Sequence, residues 1–137
     1  MLIDLPKNKI KFGLIGSGKP IVDFSCLLIK NGFPKPIIVT WDRSLHKRDQ
    51  VILKNTKNYR DVFSFCETEN IEIMEVNNVN EQKTIEFLKK KSVNIIFSIK
   101  SRWILKKRLI DEFNNWVLNI HQGDLPLERG SAIYQRI

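Results

Sequence analysis

Lys11-Phe-Gly-Leu-Ile-Gly-Ser-Gly-Lys-Pro20 is the stretch that decides the fold. Lys11 to Ile15 is a short apolar run, Gly16-Ser17-Gly18 is a turn, and Pro20 suits a first helical residue because its φ is already set. Ile21, Phe24 and Leu28 then recur at helical spacing, and Asn31-Gly32 before Phe33-Pro34 is a stop signal in which glycine supplies the left-handed cap. The chain therefore opens as strand, tight turn, helix. Gly13-Leu-Ile-Gly-Ser-Gly18-Lys19 follows the spacing of a phosphate-binding loop only until Pro20, which stands where a Ser or Thr would reach magnesium. Gly13 lies inside the strand, and Ile21 occupies the place of the third glycine of a dinucleotide-binding turn. The glycines read as a strand-to-helix turn, with an NTPase or a dehydrogenase as the weaker alternative.

The same alternation continues outward. Pro36 to Thr40 reads as a second strand, Trp41 to Asn58 as a polar loop with a helical turn near Val51 to Leu53, and Tyr59 to Thr68 as a helix with Val62, Phe63 and Cys66 inward. A third strand is expected at Ile71 to Val76. Asn80 is placed to cap a helix from Glu81 to Lys91, whose acidic start and Lys89-Lys90-Lys91 end follow the helix dipole, so the lysines read as structural. Val93 to Ile99 is the most apolar strand, followed by a short helix at Ile104 to Phe113 and a fifth strand at Trp116 to Ile120. Alternation of this kind predicts an α/β, Rossmann-like, mostly parallel sheet with helices on both faces and ligands at the strand C-termini. A single domain over residues 1–137 is expected, with no internal repeat or linker.

Composition narrows the class. No apolar run has the length of a membrane span, and the opening residues are too short for a signal peptide, so a cytoplasmic protein without a membrane partner is expected. Cys26 and Cys66 fall on helical segments and read as two buried free thiols, with no metal site. The net charge of +8 is spread along the chain, concentrated at Arg43 to Arg48 and Lys100 to Arg108, without the interleaved aromatics of a nucleic-acid module. It reads as a solvated basic surface, although either stretch could hold an anionic ligand.

The chemistry concentrates at Asn119-Ile-His121-Gln-Gly-Asp124-Leu-Pro126-Leu-Glu-Arg129-Gly130. On a strand, two-residue spacing puts Asn119 and His121 on one face at the C-terminal end. Attack of an amine on an acyl carbon builds a tetrahedral oxyanion, for which an Asn amide and a His ring are apt donors; a neutral imidazole can also take a proton. Asn119-x-His121, Leu125-Pro126 and Arg129-Gly130 together resemble the signature of the folate-dependent formyltransferases. The likeness reaches across nearly the whole chain, from the strand, glycine turn and helix of Lys11 to Gly32 through the apolar strand of Val93 to Ile99.

The resemblance implies transfer of a formyl group from N10-formyltetrahydrofolate to an acceptor amine, with Asn119 and His121 acting at the carbonyl. It implies that Gly123, Asp124, Leu125 and Pro126 lie against the folate, and that Ile104 and Leu105 line the pterin pocket. Arg129 is expected to be structural or an anion contact, and Gly130 to support a turn. Two departures stand out. Gly123-Asp124 replaces the serine-leucine pair that members commonly carry, and the Asp that members carry well beyond the His has no counterpart, since the chain ends sixteen residues after His121. Ala132 to Ile137 looks like the start of a helix, so a fragment lacking its last strands, and poorly active alone, is expected.

For the acceptor, a nucleotide-linked amino sugar or similar small amine is favoured over methionyl-tRNA, with a glycinamide ribonucleotide third. Tyr59-Arg60-Asp61 after a polar loop suits the amino-sugar group, and the loop at Trp41 to Asn58 lacks the glycine-rich basic insertion of the tRNA enzymes. The alternative is a non-catalytic Rossmann-like module that binds a nucleotide or a folate. The sequence carries no signal for an oligomeric state.

Overall fold

The computed structural model describes residues 4–57 and 59–121. Its strands are β1 (Phe12–Gly16), β2 (Ile37–Thr40), β3 (Ile73–Glu75), β4 (Ile95–Ile99) and β5 (Val117–Ile120). The helices are α1 (Lys19–Lys30), α2 (Lys47–Leu53), α3 (Val62–Glu69), α4 (Gln82–Lys90) and α5 (Lys107–Glu112). All pairings are parallel, in the order β3-β2-β1-β4-β5. The chain therefore leaves β1 toward one edge and returns through β4 on the other side. This reversal opens a crevice at the C-terminal ends of β1 and β4, where open α/β sheets bind ligands.

Two apolar layers hold the sheet. Leu14, Ile38 and Ile95 point to one face and pack with Ile21, Val22 and Leu28 of α1 and with Val62, Phe63 and Cys66 of α3. Their neighbours Ile15, Ile37, Val39 and Ile96 point to the other face and meet Ile85 and Leu88 of α4 and Leu109 and Phe113 near α5. Because both faces are covered, every residue of β1 and β2 is buried, which is why these strands read as continuous apolar runs rather than alternating ones. Fully burying one Val, Leu or Ile contributes roughly 1.5–3 kcal/mol. Phe12 closes the first layer, meeting Phe33 edge-on with centroids 5.3 Å apart.

The glycine turn has a steric cause. At Gly16 φ is +150°, and a Cβ there would stand 1.8 Å from the Ile99 carbonyl oxygen of β4. Helix α1 ends as expected: Gly32 has φ +82°, and Phe33 N–H donates to the Leu28 carbonyl at 3.1 Å.

Several expectations need correction. The polar segment after β2 is largely helical, with a 3-10 turn at Arg43–His46 running into α2. Asp42 starts it, its carboxylate accepting from Ser44 N–H at 2.8 Å, a cap that periodicity alone does not register. Cys66 is buried, but Cys26 is exposed because it lies on the outer side of α1. Helix α5 is shorter than expected and leaves Ile104 and Leu105 in the preceding loop. Asn80 does not cap α4. Its amide reaches across to that loop, donating to the Ile104 carbonyl at 3.0 Å and accepting from Lys106 N–H at 2.8 Å. Two of the three lysines at the end of α4 are structural, Lys89 pairing with Glu112 and Lys91 with Glu72 at 2.9 Å.

Candidate functional site

Asn119 sits on β5, in register with buried Ser98 of β4, and is exposed. His121 follows the strand and is half-buried. The loop 100–106 leaves β4 at the same edge of the sheet, so Asn119, His121, Ile104 and Leu105 all occupy the C-terminal side of the two neighbouring strands β4 and β5. Ile104 is 87% exposed, whereas Leu105 is half-buried against the second apolar layer. Gly123, Asp124, Leu125 and Pro126, with Arg129, Gly130 and the expected helix start at Ala132 to Ile137, lie outside the described residues.

A second group of polar side chains gathers at the end of β1, and sequence reasoning gave it little weight. Ser17 and His46 are buried, with Ser17 Oγ 3.0 Å from His46 Nδ1. On the far side of the ring, Nε2 lies 3.1 Å from the Trp41 carbonyl oxygen, which can only accept. This assigns the proton to Nε2, and Nδ1 accepts from the Ser17 hydroxyl. Trp41 stacks on the imidazole at 5.0 Å and Phe63 meets it edge-on at 4.8 Å, so the ring is held on three sides. The only prior signal for this pair was its surroundings: a Ser between two glycines, and a His among polar loop residues.

Ser17 and His46 form the inner wall of a shallow, open cleft that also takes in Gly18, Tyr59, Asp61 and Lys100. Asp61 caps α3, accepting from Phe63 N–H at 3.1 Å and Ser64 Oγ at 3.2 Å. Burial, and then the charge of Asp61, push the Tyr59 phenol above the usual tyrosine range. Lys100 follows β4 directly with φ +51°, a left-handed conformation that a lysine adopts at a cost. Arg43 is anchored outside the cleft, over the Phe63 ring at 4.3 Å and 3.6 Å from Glu75. Among the described residues, no three His, Cys, Asp or Glu side chains stand together as a metal set, and no helix is long and apolar enough to cross a membrane.

No protein-family model matches the sequence. Over 62 residues, 45% of the chain, it is 31% identical to a methionyl-tRNA formyltransferase of Finegoldia magna, of which the match covers 20%. In three dimensions it superposes on a phosphoribosylglycinamide formyltransferase of Bacillus halodurans with a TM-score of 0.67 and 12% identity, over 92% of this chain and 63% of that one. The chain carries the formyltransferase fold. A sugar 3N-formyltransferase solved with dTDP and 5-N-formyl-THF shares it at a TM-score of 0.50 and 19% identity, over 87% of this chain and 37% of that one. The chain thus spans less than two thirds of each of these three formyltransferases. The resemblance to the formyltransferases extends to a partial sequence match and to the fold, and the parallel sheet with helices on both faces is the one expected.

Proposed function

We propose that this protein transfers a formyl group from N10-formyltetrahydrofolate to an amine, and that Asn119 and His121 act at the formyl carbonyl. The observation that carries the reading is the position of the Asn-x-His pair at the C-terminal end of β5, beside the end of β4, in a sheet of the formyltransferase fold. In the reaction the amine nitrogen attacks the formyl carbon and its new bond replaces the bond to folate N10. The Asn119 amide donates to the oxyanion that forms, and His121 donates beside it or takes the ammonium proton. Loop 100–106, with Ile104 and Leu105, and the turn Gly123-Asp124-Leu125-Pro126 would receive the folate. The support for a folate donor is the 5-N-formyl-THF in the sugar formyltransferase structure.

A nucleotide-linked amino sugar is the acceptor favoured here, because the cleft at Ser17 offers an aromatic and a cationic wall beyond the strand that separates it from Asn119. Methionyl-tRNA is the second reading, on the likeness to the Finegoldia magna protein. Formyl transfer measured on the full-length protein tests the proposal. Asn119→Ala and His121→Ala should each lower kcat/KM by about 10²–10³-fold, the effect of losing one oxyanion donor. Rates equal to the wild-type value in both variants would leave a binding module without chemistry of its own.

A further inference from the structure

The segment after β2 turns its aliphatic side chains to solvent. Leu45 of the 3-10 turn is 54% exposed, and Val51 and Ile52 of α2 are 74% and 60% exposed. The opposite side of the helix fixes this orientation: Asp49, Gln50 and Leu53 are half-buried, and Asp49 and Leu53 line the cleft beside Ser17. With that side docked, Lys47, Arg48, Val51 and Ile52 share the outer one, since steps of three and four residues repeat one face of a helix. Lys54 and Lys57 are exposed just beyond it. Lys47, Arg48, Lys54 and Lys57 form no ion pair among the described residues, whereas Lys19, Lys83, Lys89, Lys91 and Lys107 each hold a carboxylate. No residue of α2 belongs to either apolar layer. Unpaired cations and bare aliphatic groups therefore stand together on one ridge.

The occupant has to match both features. A nucleic-acid backbone would pair with the cations but gives nothing to Val51 and Ile52, and the outer face of α2 carries no aromatic ring for a base to stack on. A protein groove would take the aliphatic groups, but lysine is depleted in such interfaces and the anchoring Trp and Tyr are missing from this face. An anionic bilayer surface rewards both, because aliphatic side chains enter the headgroup region while lysine stems reach back to the phosphates. We propose that the ridge 45–57 seats the protein on a membrane surface rich in anionic phospholipid. Leu45, Val51 and Ile52 enter that surface, and Lys47, Arg48, Lys54 and Lys57 meet its headgroups. The expectation of no membrane partner came from the lack of a spanning run; no helix among the described residues crosses a bilayer, and lying on one requires none that does. This seating is independent of the formyl-transfer reading.

Flotation of the full chain with vesicles tests this, using phosphatidylcholine alone and phosphatidylcholine mixed with phosphatidylglycerol. Binding should require the anionic lipid. Each Lys or Arg near such a surface is worth about fivefold in partitioning, so Lys47→Gln with Arg48→Gln should weaken binding about 25-fold. Val51→Gln with Ile52→Gln keeps every charge and should weaken it about tenfold or more. Lys83→Gln with Lys90→Gln removes the same charge from α4, which covers the other face of the sheet, and should change binding less than about threefold. All six positions are exposed, so the urea midpoints of the three variants should match that of the native sequence. Three results would each overturn the proposal: no preference for the anionic vesicles, full binding in the Val51 and Ile52 variant, or an equal loss in the α4 variant, which would reduce the effect to net charge. So would tighter binding to a short RNA duplex that ignores Val51 and Ile52, the mark of a nucleic-acid contact.

Discussion

The Ser17 hydroxyl donates to Nδ1 of His46 at 3.0 Å, and this bond ties the turn after β1 to the turn after β2 across twenty-nine residues of chain. The imidazole is the centre of the contact, since its Nε2–H meets the Trp41 carbonyl at 3.1 Å and its faces are covered by Trp41 and Phe63. Removing it leaves a buried hydroxyl and a carbonyl without partners and strips two aromatic contacts. His46→Ala should therefore cost about 2–4 kcal/mol in urea unfolding, and Ser17→Ala about 1 kcal/mol. Nitrogen-15 shifts of the ring should report the Nε2–H tautomer. A cost below about 0.5 kcal/mol for His46→Ala would mean that the two turns are held by something else.

Gly16 and Gly32 both have positive φ, at +150° and +82°, but only Gly16 is crowded. A methyl group at Gly16 would lie 1.8 Å from the Ile99 carbonyl oxygen, and backbone rather than a flexible side chain would have to move. Gly16→Ala should cost about 4 kcal/mol or more, or prevent folding. Gly32→Ala meets nothing within 4 Å, so only the left-handed backbone opposes it, at about 1 kcal/mol. Equal losses in the two variants, by denaturant midpoint, would contradict the close β1–β4 approach.

Period and punctuation carried the sheet. Both faces of β1, β2 and β4 are covered, so their apolar runs are long, and Gly32 marks the end of α1 because no other residue takes that φ cheaply. The segment after β2 was harder to read because α2 buries no residue, and an exposed helix leaves no apolar stripe to recognise. Asn80 failed as a cap for a different reason. A side chain that can cap a helix can equally bridge to a distant loop, and one-dimensional spacing does not separate the two. The Asn119-x-His121 motif is local and was visible as such. The cleft of Ser17, His46, Tyr59 and Lys100 draws on four separated segments that only the sheet order brings together.

The two cysteines should differ sharply as thiols. Burial, and then the Asp61 charge, push the Cys66 thiol up to about 12, while Cys26 is exposed. In the native protein a disulfide reagent should modify Cys26 quickly and Cys66 only on unfolding. The folded state keeps the Cys66 proton that an unfolded thiol loses near pH 8.5, so this group's contribution is fully present below that pH. It is lost as the pH rises toward about 12. Urea midpoints should fall between pH 8 and 10.5 more steeply in the native sequence than in Cys66→Ala. Parallel slopes would show that Cys66 titrates freely.

Asn80 holds the loop 104–106 with both halves of its amide, the Nδ2 donating to Ile104 O at 3.0 Å and the Oδ1 accepting from Lys106 N at 2.8 Å. Because Ile104 is 87% exposed, packing of its side chain does little to fix that loop. Trp103, whose indole N–H donates to the Asn77 carbonyl at 3.2 Å, anchors only the loop's earlier part. Asn80→Ala should therefore speed hydrogen exchange at the Lys106 amide by about tenfold or more, a change of about 1.4 kcal/mol in local opening. Asn80→Asp keeps the acceptor and loses the donor, so it should keep most of the Lys106 protection while freeing Ile104. If Ile104 and Leu105 line the folate site, Asn80→Ala should also raise KM for the donor with kcat nearly unchanged, the pattern of lost uniform binding. Wild-type exchange at Lys106 in Asn80→Ala would show that the loop is set by its own backbone, and a fall in kcat alone would move Asn80 from holding the donor to the chemical step.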